Sequence, residues 1–253
     1  MLWRRNWFLP AAVLIAWGVG CANRNDAPGE GRETSATAAT TAPREKSVNP
    51  GINDSYKNMK DVETWVQRFE GESREIYRER RRIVETLGLE PGDTIADIGA
   101  GTGLFEKLFS EAVGPRGRVF AVDITPKFIQ HINERARKFG LANVQTVLCK
   151  EDSVELPPNS VDVAFICDVY HHFEYPKSST SSIHRALKPG GRLVVIDFER
   201  VEGTSRDWIL GHVRTGKDAV VSEIIAQGFE LTDDGSKTDF LSENYIIQFR
   251  KPG

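Results

Sequence analysis

The sequence predicts an α/β fold with a doubly wound, mainly parallel sheet, and three observations predict it. Strand-like and helix-like segments alternate from about residue 61 to the C-terminus. That alternation means βαβ units with right-handed crossovers. The strands are as apolar as Leu193-Val194-Val195-Ile196, which suits a sheet covered by helices on both faces. A glycine loop follows the first strand and an acid follows the second, where such sheets bind ligands.

The elements follow in order. Asp61 to Leu87 has helical character, with Ile76, Ile83, Val84 and Leu87 at near-helical spacing. Pro91-Gly92 ends it. Thr94 to Ile98 is the first strand, Gly99 to Gly103 the loop, and Leu104, Phe105, Leu108, Phe109 and Ala112 mark one face of a helix closed by Gly114-Pro115. Arg118 to Asp123 is the second strand. Thr125-Pro126 reads as an N-cap with Pro at N1, opening a helix that stops at Gly140. Val144 to Leu148 and Val161 to Cys167 are the third and fourth strands. A helix with Ile183, Ala186 and Leu187 leads through Lys188-Pro189-Gly190-Gly191 into a fifth, Arg192 to Phe198. An amphipathic run through Val220 and Ile224 ends near Gly228. Phe229 to Thr232 and Tyr245 to Phe249 are the last two strands. There is no internal repeat.

The site residues should follow the strands. Asp97-Ile98-Gly99-Ala100-Gly101-Thr102-Gly103 follows the first, and Asp123 stands 20 residues beyond Gly103. Glycines let the chain turn tightly and let a ligand approach the backbone; a carboxylate at Asp123 can accept both hydroxyls of a ribose. NAD and S-adenosylmethionine both suit such a pair. The spacing is G-x-G-x-G rather than the dinucleotide G-x-G-x-x-G. Asp97 would repel a pyrophosphate, but attracts the ammonium and sulfonium of S-adenosylmethionine. One such pair at about 4 Å is worth roughly 4 kcal/mol in gross Coulomb energy at an effective dielectric near 20. That favours the methyl donor.

Ile95 to Phe105 resembles motif I of class I S-adenosylmethionine-dependent methyltransferases, and Val119 to Asp123 resembles their following acidic motif. Glu151-Asp152-Ser153 with Leu156-Pro157 is similar to the adenine-binding segment, and Leu187 to Gly191 to the late L-x-P-G-G turn. The resemblance covers about residues 75 to 200 and is nearest to small-molecule enzymes of the ubiquinone/menaquinone type. It implies S-adenosylmethionine as cofactor and a Rossmann-like sheet of order 3-2-1-4-5-7-6, helices on both faces and the last strand antiparallel. Asp97, Gly99, Ala100, Gly101, Thr102 and Gly103 would hold the methionyl part, Asp123 with Ile124 the ribose, and Asp152 with Ser153 the adenine. The helix before motif I, with Trp65, Phe69, Arg74 and Tyr77, would lid the pocket.

Asp168-Val169-Tyr170-His171-His172-Phe173 sits where this family places catalytic or substrate-facing residues. Asp168, Tyr170, His171 and His172 are therefore the catalytic candidates. An imidazole has the intrinsic pKa of a general base, and Tyr170 could lay its ring against the sulfonium. Capping and packing are the competing roles for the same side chains. No metal site is assigned, because Asp168 and the two histidines lack a distant ligand. Arg200, Arg206, Trp208, His212 and Arg214 follow the fifth strand on the same rim, and the three arginines could receive an anionic small-molecule substrate.

At 253 residues, 40% hydrophobic and 27% charged, the chain has room for one such domain with appendages. A net charge of −3 gives no sign of a nucleic-acid partner. Three cysteines, Cys21, Cys149 and Cys167, are too few for a disulfide framework, and the last two read as buried free thiols.

The N-terminus stands apart. Arg4 and Arg5 precede 14 uncharged residues, Trp7 to Gly20, whose helix would span about 21 Å against a hydrocarbon core of roughly 30 Å. Residues 1–20 thus read as a signal peptide or membrane anchor. Gly18-Val19-Gly20-Cys21 resembles a lipoprotein cleavage site, although Gly18 stands where Leu is usual, and Arg4-Arg5 resembles the core of a twin-arginine signal. Residues 21–51 read as a disordered tether, and 52–253 as the methyltransferase domain. The positive-inside tendency places that domain outside the cytoplasm, tethered to the membrane. S-Adenosylmethionine is made in the cytoplasm, so a second reading stays open: an exported, non-catalytic ligand-binding module on the same fold. The oligomeric state is not readable.

Overall fold

The computed structural model describes residues 44–71, 74–235 and 238–253. Seven strands form one sheet: β1 (Thr94–Ile98), β2 (Arg118–Asp123), β3 (Val144–Leu148), β4 (Val161–Cys167), β5 (Leu187–Phe198), β6 (Glu230–Asp233) and β7 (Asn244–Arg250). Their order is β3-β2-β1-β4-β5-β7-β6. β1 to β5 pair in parallel, and β7 runs antiparallel to both β5 and β6. The predicted topology holds.

Successive residues of a strand face opposite sides, and here both sides are buried. Ile95, Phe165 and Val194 pack with Ile83, Phe105 and Phe109 from helices α3 (Glu75–Thr86) and α4 (Glu106–Val113). Their neighbours Ala96, Ile166 and Val195 pack with Ile183 and Ile224 from α6 (Pro176–Ala186) and α8 (Lys217–Ile225). Phe105, Phe109 and Phe165 form a ring cluster with centroids 5.0–5.5 Å apart. Removing a core ring of this kind costs about 3–5 kcal/mol. Helix α5 (Pro126–Phe139) buries Phe128 and Ile132 and ends at Gly140 in the left-handed region, φ 66°. The N–H of Leu141 then closes on the Ala136 carbonyl at 2.9 Å, which satisfies an otherwise orphaned helix-end acceptor.

The structure departs from the sequence reading in four places. The single helix expected over 61–87 is two, α2 (Glu63–Phe69) and α3, with Arg74 extended between them; Gly71 is a poor helix former. Thr125 stands at the N-cap of α5, but its side chain makes no cap bond. Its N–H instead donates to Asp123. Strand β5 begins at Leu187 and so includes the glycine turn. Finally, residues 44–51, expected to belong to a disordered tether, are part of the compact unit that runs from Pro43 to Gly253.

Glu45 explains that last shift. Its carboxylate accepts the Lys177 and Ser178 N–H groups at 3.0 and 2.7 Å, in the first turn of α6, where the helix dipole favours an anion. Val48 N–H and the Ser47 hydroxyl bond Glu174 in addition. The predicted signal segment, and the tether up to residue 43, lie outside the described residues. Among the described residues, no helix is long and apolar enough to cross a membrane. Cys149 and Cys167 are free thiols.

Candidate active site

A cavity of about 570 Å³ opens where β1, β2, β4 and β5 end, the position expected for a ligand in an open α/β sheet. Its first wall is the glycine loop. Gly99, at φ 79°, donates to the Val122 carbonyl at 2.8 Å. A Cβ on Gly99 would lie 2.5 Å from a Val169 methyl, so the loop closes on the β4 segment only because Gly99 has none. Gly101 N–H donates to Asp123 Oδ2 at 2.9 Å, and Thr125 N–H to Oδ1 at 2.8 Å. Asp123 thus shapes the loop as well as facing the cavity. Burial raises its carboxyl pKa against those hydrogen bonds, which lower it.

Ala100, Thr102 and Ile124 also line the cavity, and the Thr102 hydroxyl donates to Glu70 at 2.8 Å. Gly103 does not line it. Its absent Cβ makes room behind the loop for Glu106 and Ile132, 3.0 and 3.1 Å from where that atom would sit. The expected methionyl contact at Gly103 is therefore corrected to a packing role.

Asp97 is buried on the cavity floor, and Glu106 lies against it from α4. Burial first, then the neighbouring acid, holds the Asp97 carboxyl well above the usual carboxylate range. Burial pushes Glu106 up to about 7. A cation in the cavity would favour the ionised forms of both acids.

The adenine segment divides. Ser153 lines the cavity, as do Lys150 and Glu151. Asp152 does not: its carboxylate pairs with Arg44 at 3.0 Å on the outside, so the adenine contact assigned to it is corrected. Ion pairing with the 44–60 segment decides its direction, while Glu151 pairs with Lys57 in the same way.

The second wall follows β4 and β5. Asp168 sits in the left-handed region at φ 55°, uncommon for a side chain other than glycine. Its carboxylate accepts from Arg74 and, at 2.6 Å, from Asn244. Burial pushes its pKa up to about 6, against the pull of Arg74. A 3₁₀ turn, Tyr170–His172, carries both histidines into the cavity wall. His171 Nδ1 lies 2.7 Å from Asp197 Oδ1, and the His171 N–H donates to Asp197 Oδ2 at 3.0 Å. Burial pulls the His171 pKa down, but Asp197 and Asp168 outweigh it, and the imidazole titrates above its ordinary range. His172 Nε2 is 3.3 Å from His212 Nε2 and 3.4 Å from the Tyr56 hydroxyl. Burial, then the charges of His171 and His212, push His172 down to about 2.

Tyr170 is not on this wall. Its side chain is fully buried and its hydroxyl donates to Glu223 at 3.0 Å, so the contact to the sulfonium is corrected to core packing. Arg200 donates to the Val213 and Leu210 carbonyls and Arg214 pairs with Glu223. Of the three rim arginines, Arg206 lines the cavity, paired with Glu243. Phe69 and Arg74 of the expected lid line it, and Trp65 packs on Tyr56 and Phe69. Tyr77 lies under Arg80 instead.

Sequence reasoning missed Tyr56, Glu106, Asp197 and Asn244. Asp197 did carry a signal, since an acid inside an otherwise apolar strand needs a buried partner. Nothing local marks Tyr56 or Asn244.

The geometry permits a test against known proteins. Residues 96–195 match the model of a methyltransferase domain. The ubiquinone/menaquinone biosynthesis C-methyltransferase of Hydrogenovibrio crunogenus is 29% identical over 153 residues, 60% of this chain and 58% of that protein. The same enzyme of Ectopseudomonas mendocina is 34% identical over 122 residues, 48% of each chain. The chain thus spans about half the length of the curated relatives it matches. A SAM-dependent methyltransferase from Aquifex aeolicus shares the fold with a TM-score of 0.64 at 23% identity, covering 74% of this chain and 97% of that one. Residues 96–195 are thus similar to a methyltransferase domain, and the structural likeness shows its fold.

Proposed function

We propose that the whole protein is a methyltransferase that passes the methyl group of S-adenosylmethionine to a small-molecule acceptor. The observation that carries this reading is one cavity with two unlike walls. The first wall fits the cofactor: a glycine loop whose missing Cβ lets it close on Val169, buried acids for its cations, and Asp123 for its hydroxyls. When bound, the cofactor would supply an electrophilic methyl on a sulfonium, open to in-line attack by the acceptor with S-adenosylhomocysteine as the leaving group.

The chain supplies position, dryness and proton control. Asp97 and Asp123 fix the cofactor end to end. Tyr56 and Phe69 close over the cavity from the N-terminal segment. Asp168, tied between Arg74 and Asn244, holds the β4 segment in its uncommon conformation beside Gly99. On the far wall, Asp197 orients His171, and with His172 and His212 it receives the acceptor's polar end. Phe198 and Trp208, their centroids 4.9 Å apart, flank the apolar remainder. Phenolic or enolic acceptors suit this wall, in keeping with the quinone-pathway relatives. The test is transfer of label from methyl-labelled S-adenosylmethionine to a panel of phenols and quinols. Saturable transfer supports the reading. Tight cofactor binding with no transfer to any acceptor would favour the binding module.

We further propose export and membrane tethering through Cys21. Arg4-Arg5, the uncharged run from Trp7 to Gly20 and the small residues before Cys21 support it. Cell fractionation with metabolic palmitate labelling tests it. Cys21→Ser should abolish label and release the protein from membranes; unchanged membrane association would reject the lipid anchor.

A further inference from the structure

We propose that His171, His172 and His212 form a binding site for a divalent first-row cation of the zinc type, with its fourth position open to the cavity. The three side chains arrive from two separate places, two from the 3₁₀ turn after β4 and one from α7 (Asp207–His212), beyond β5. One ring nitrogen of each lies within 4.8 Å of the others. His212 is the distant ligand that Asp168 and the two adjacent histidines lacked in the sequence.

The spacing fits the ion. Zinc–imidazole bonds of about 2.0–2.1 Å in a tetrahedron place two ligand nitrogens about 3.3–3.4 Å apart. His172 Nε2 and His212 Nε2 are 3.3 Å apart. His171 offers its nitrogen within 4.8 Å of both, so closing the third ligand asks for a movement of about 1.5 Å at most.

The surroundings fit as well. Asp197, itself buried, accepts from His171 Nδ1 at 2.7 Å. With Asp197 on Nδ1, Nε2 is the ring nitrogen left for an ion, the carboxylate–histidine arrangement that supports metal ligands elsewhere. Asp168 is not a fourth ligand, since both its oxygens are engaged by Arg74 and Asn244. All three histidines line the cavity, so an oxygen of a small molecule can complete the shell. Three imidazoles with one open position form a donor set of catalytic rather than structural zinc sites. An ion there would lower the pKa of a bound acceptor hydroxyl. Only this last role rests on the methyltransferase reading.

The experiment uses the full chain without a histidine tag, stripped with chelator and titrated with zinc chloride against a chromophoric competitor. One equivalent should bind with submicromolar affinity. His212→Ala should weaken binding by at least about 100-fold, and Asp197→Asn by roughly 10- to 100-fold. Cobalt substituted for zinc should give the visible bands of a four- or five-coordinate ion, lost in His212→Ala. No saturable binding, or one equivalent that survives both His212→Ala and His212→Gln, would overturn the site. S-Adenosylhomocysteine binding, measured on the same proteins, confirms that the variants fold. Zinc binding without it would leave the site standing and reject the cofactor reading instead.

Discussion

The two walls of the cavity are built in opposite ways. The cofactor wall is one short run of chain, Asp97 to Thr102, closed by an acid at the end of the next strand. The acceptor wall gathers Tyr56, Asp168, His171, His172, Asp197, His212 and Asn244 from five segments. Local geometry sets the first, because left-handed glycines and a strand end dictate it whatever surrounds them. Tertiary packing sets the second, and a substitution there acts through the neighbours it displaces.

The largest effect should come from the cofactor wall. Gly99→Ala forces a Cβ into Val169 at a backbone angle that disfavours side chains. Strain of about 1–2 kcal/mol and overlap of about 1–3 kcal/mol should lower Tm by roughly 5–15 °C. Cofactor affinity, read by calorimetry, should fall more than about 100-fold.

Asp123→Ala comes next. It removes the ribose acceptor and frees the Gly101 and Thr125 N–H groups. At about 1.5–3 kcal/mol for a charged hydrogen bond, affinity for S-adenosylhomocysteine should fall roughly 10- to 100-fold. Unchanged affinity would take Asp123 out of the site.

A pH series separates the walls further. Glu106 and Asp168 titrate near 7 and 6, above their ordinary values because they are buried. A folded pKa raised this way means that the folded domain holds extra protons above about pH 4. Ligand-free stability from these groups is therefore full below that range and declines as pH rises through 6 and 7. A bound cation favours the ionised forms, so affinity for S-adenosylmethionine should rise over the same window. Glu106→Gln should flatten the upper part of both curves.

The smallest effect should be at Asp152, which faces Arg44 rather than the cavity. Exposed pairs of this kind are worth about 0–1 kcal/mol, so Asp152→Ala should change cofactor affinity less than about twofold. A tenfold loss would return Asp152 to the adenine.

What could be read from the sequence follows the same division. The strands and the glycine loop were legible because alternation and left-handed turns are local, whereas the strand order came from the family resemblance. Gly103 and Asp152 stand off the cavity: a motif gives a residue's place in the chain but not which way it faces. Tyr170 fits equally well as a lid or as core, and burial decided. The third histidine was visible as a rim residue, yet nothing in its neighbours shows that α7 turns it onto His172.

The central claim is that the first wall holds S-adenosylmethionine, and calorimetric titration of the full chain tests it most directly. S-Adenosylhomocysteine should bind once per chain, saturably and with affinity in about the micromolar range, while NAD gives no binding heat. No saturable binding of S-adenosylhomocysteine, or competition for the site by NAD, would contradict the account.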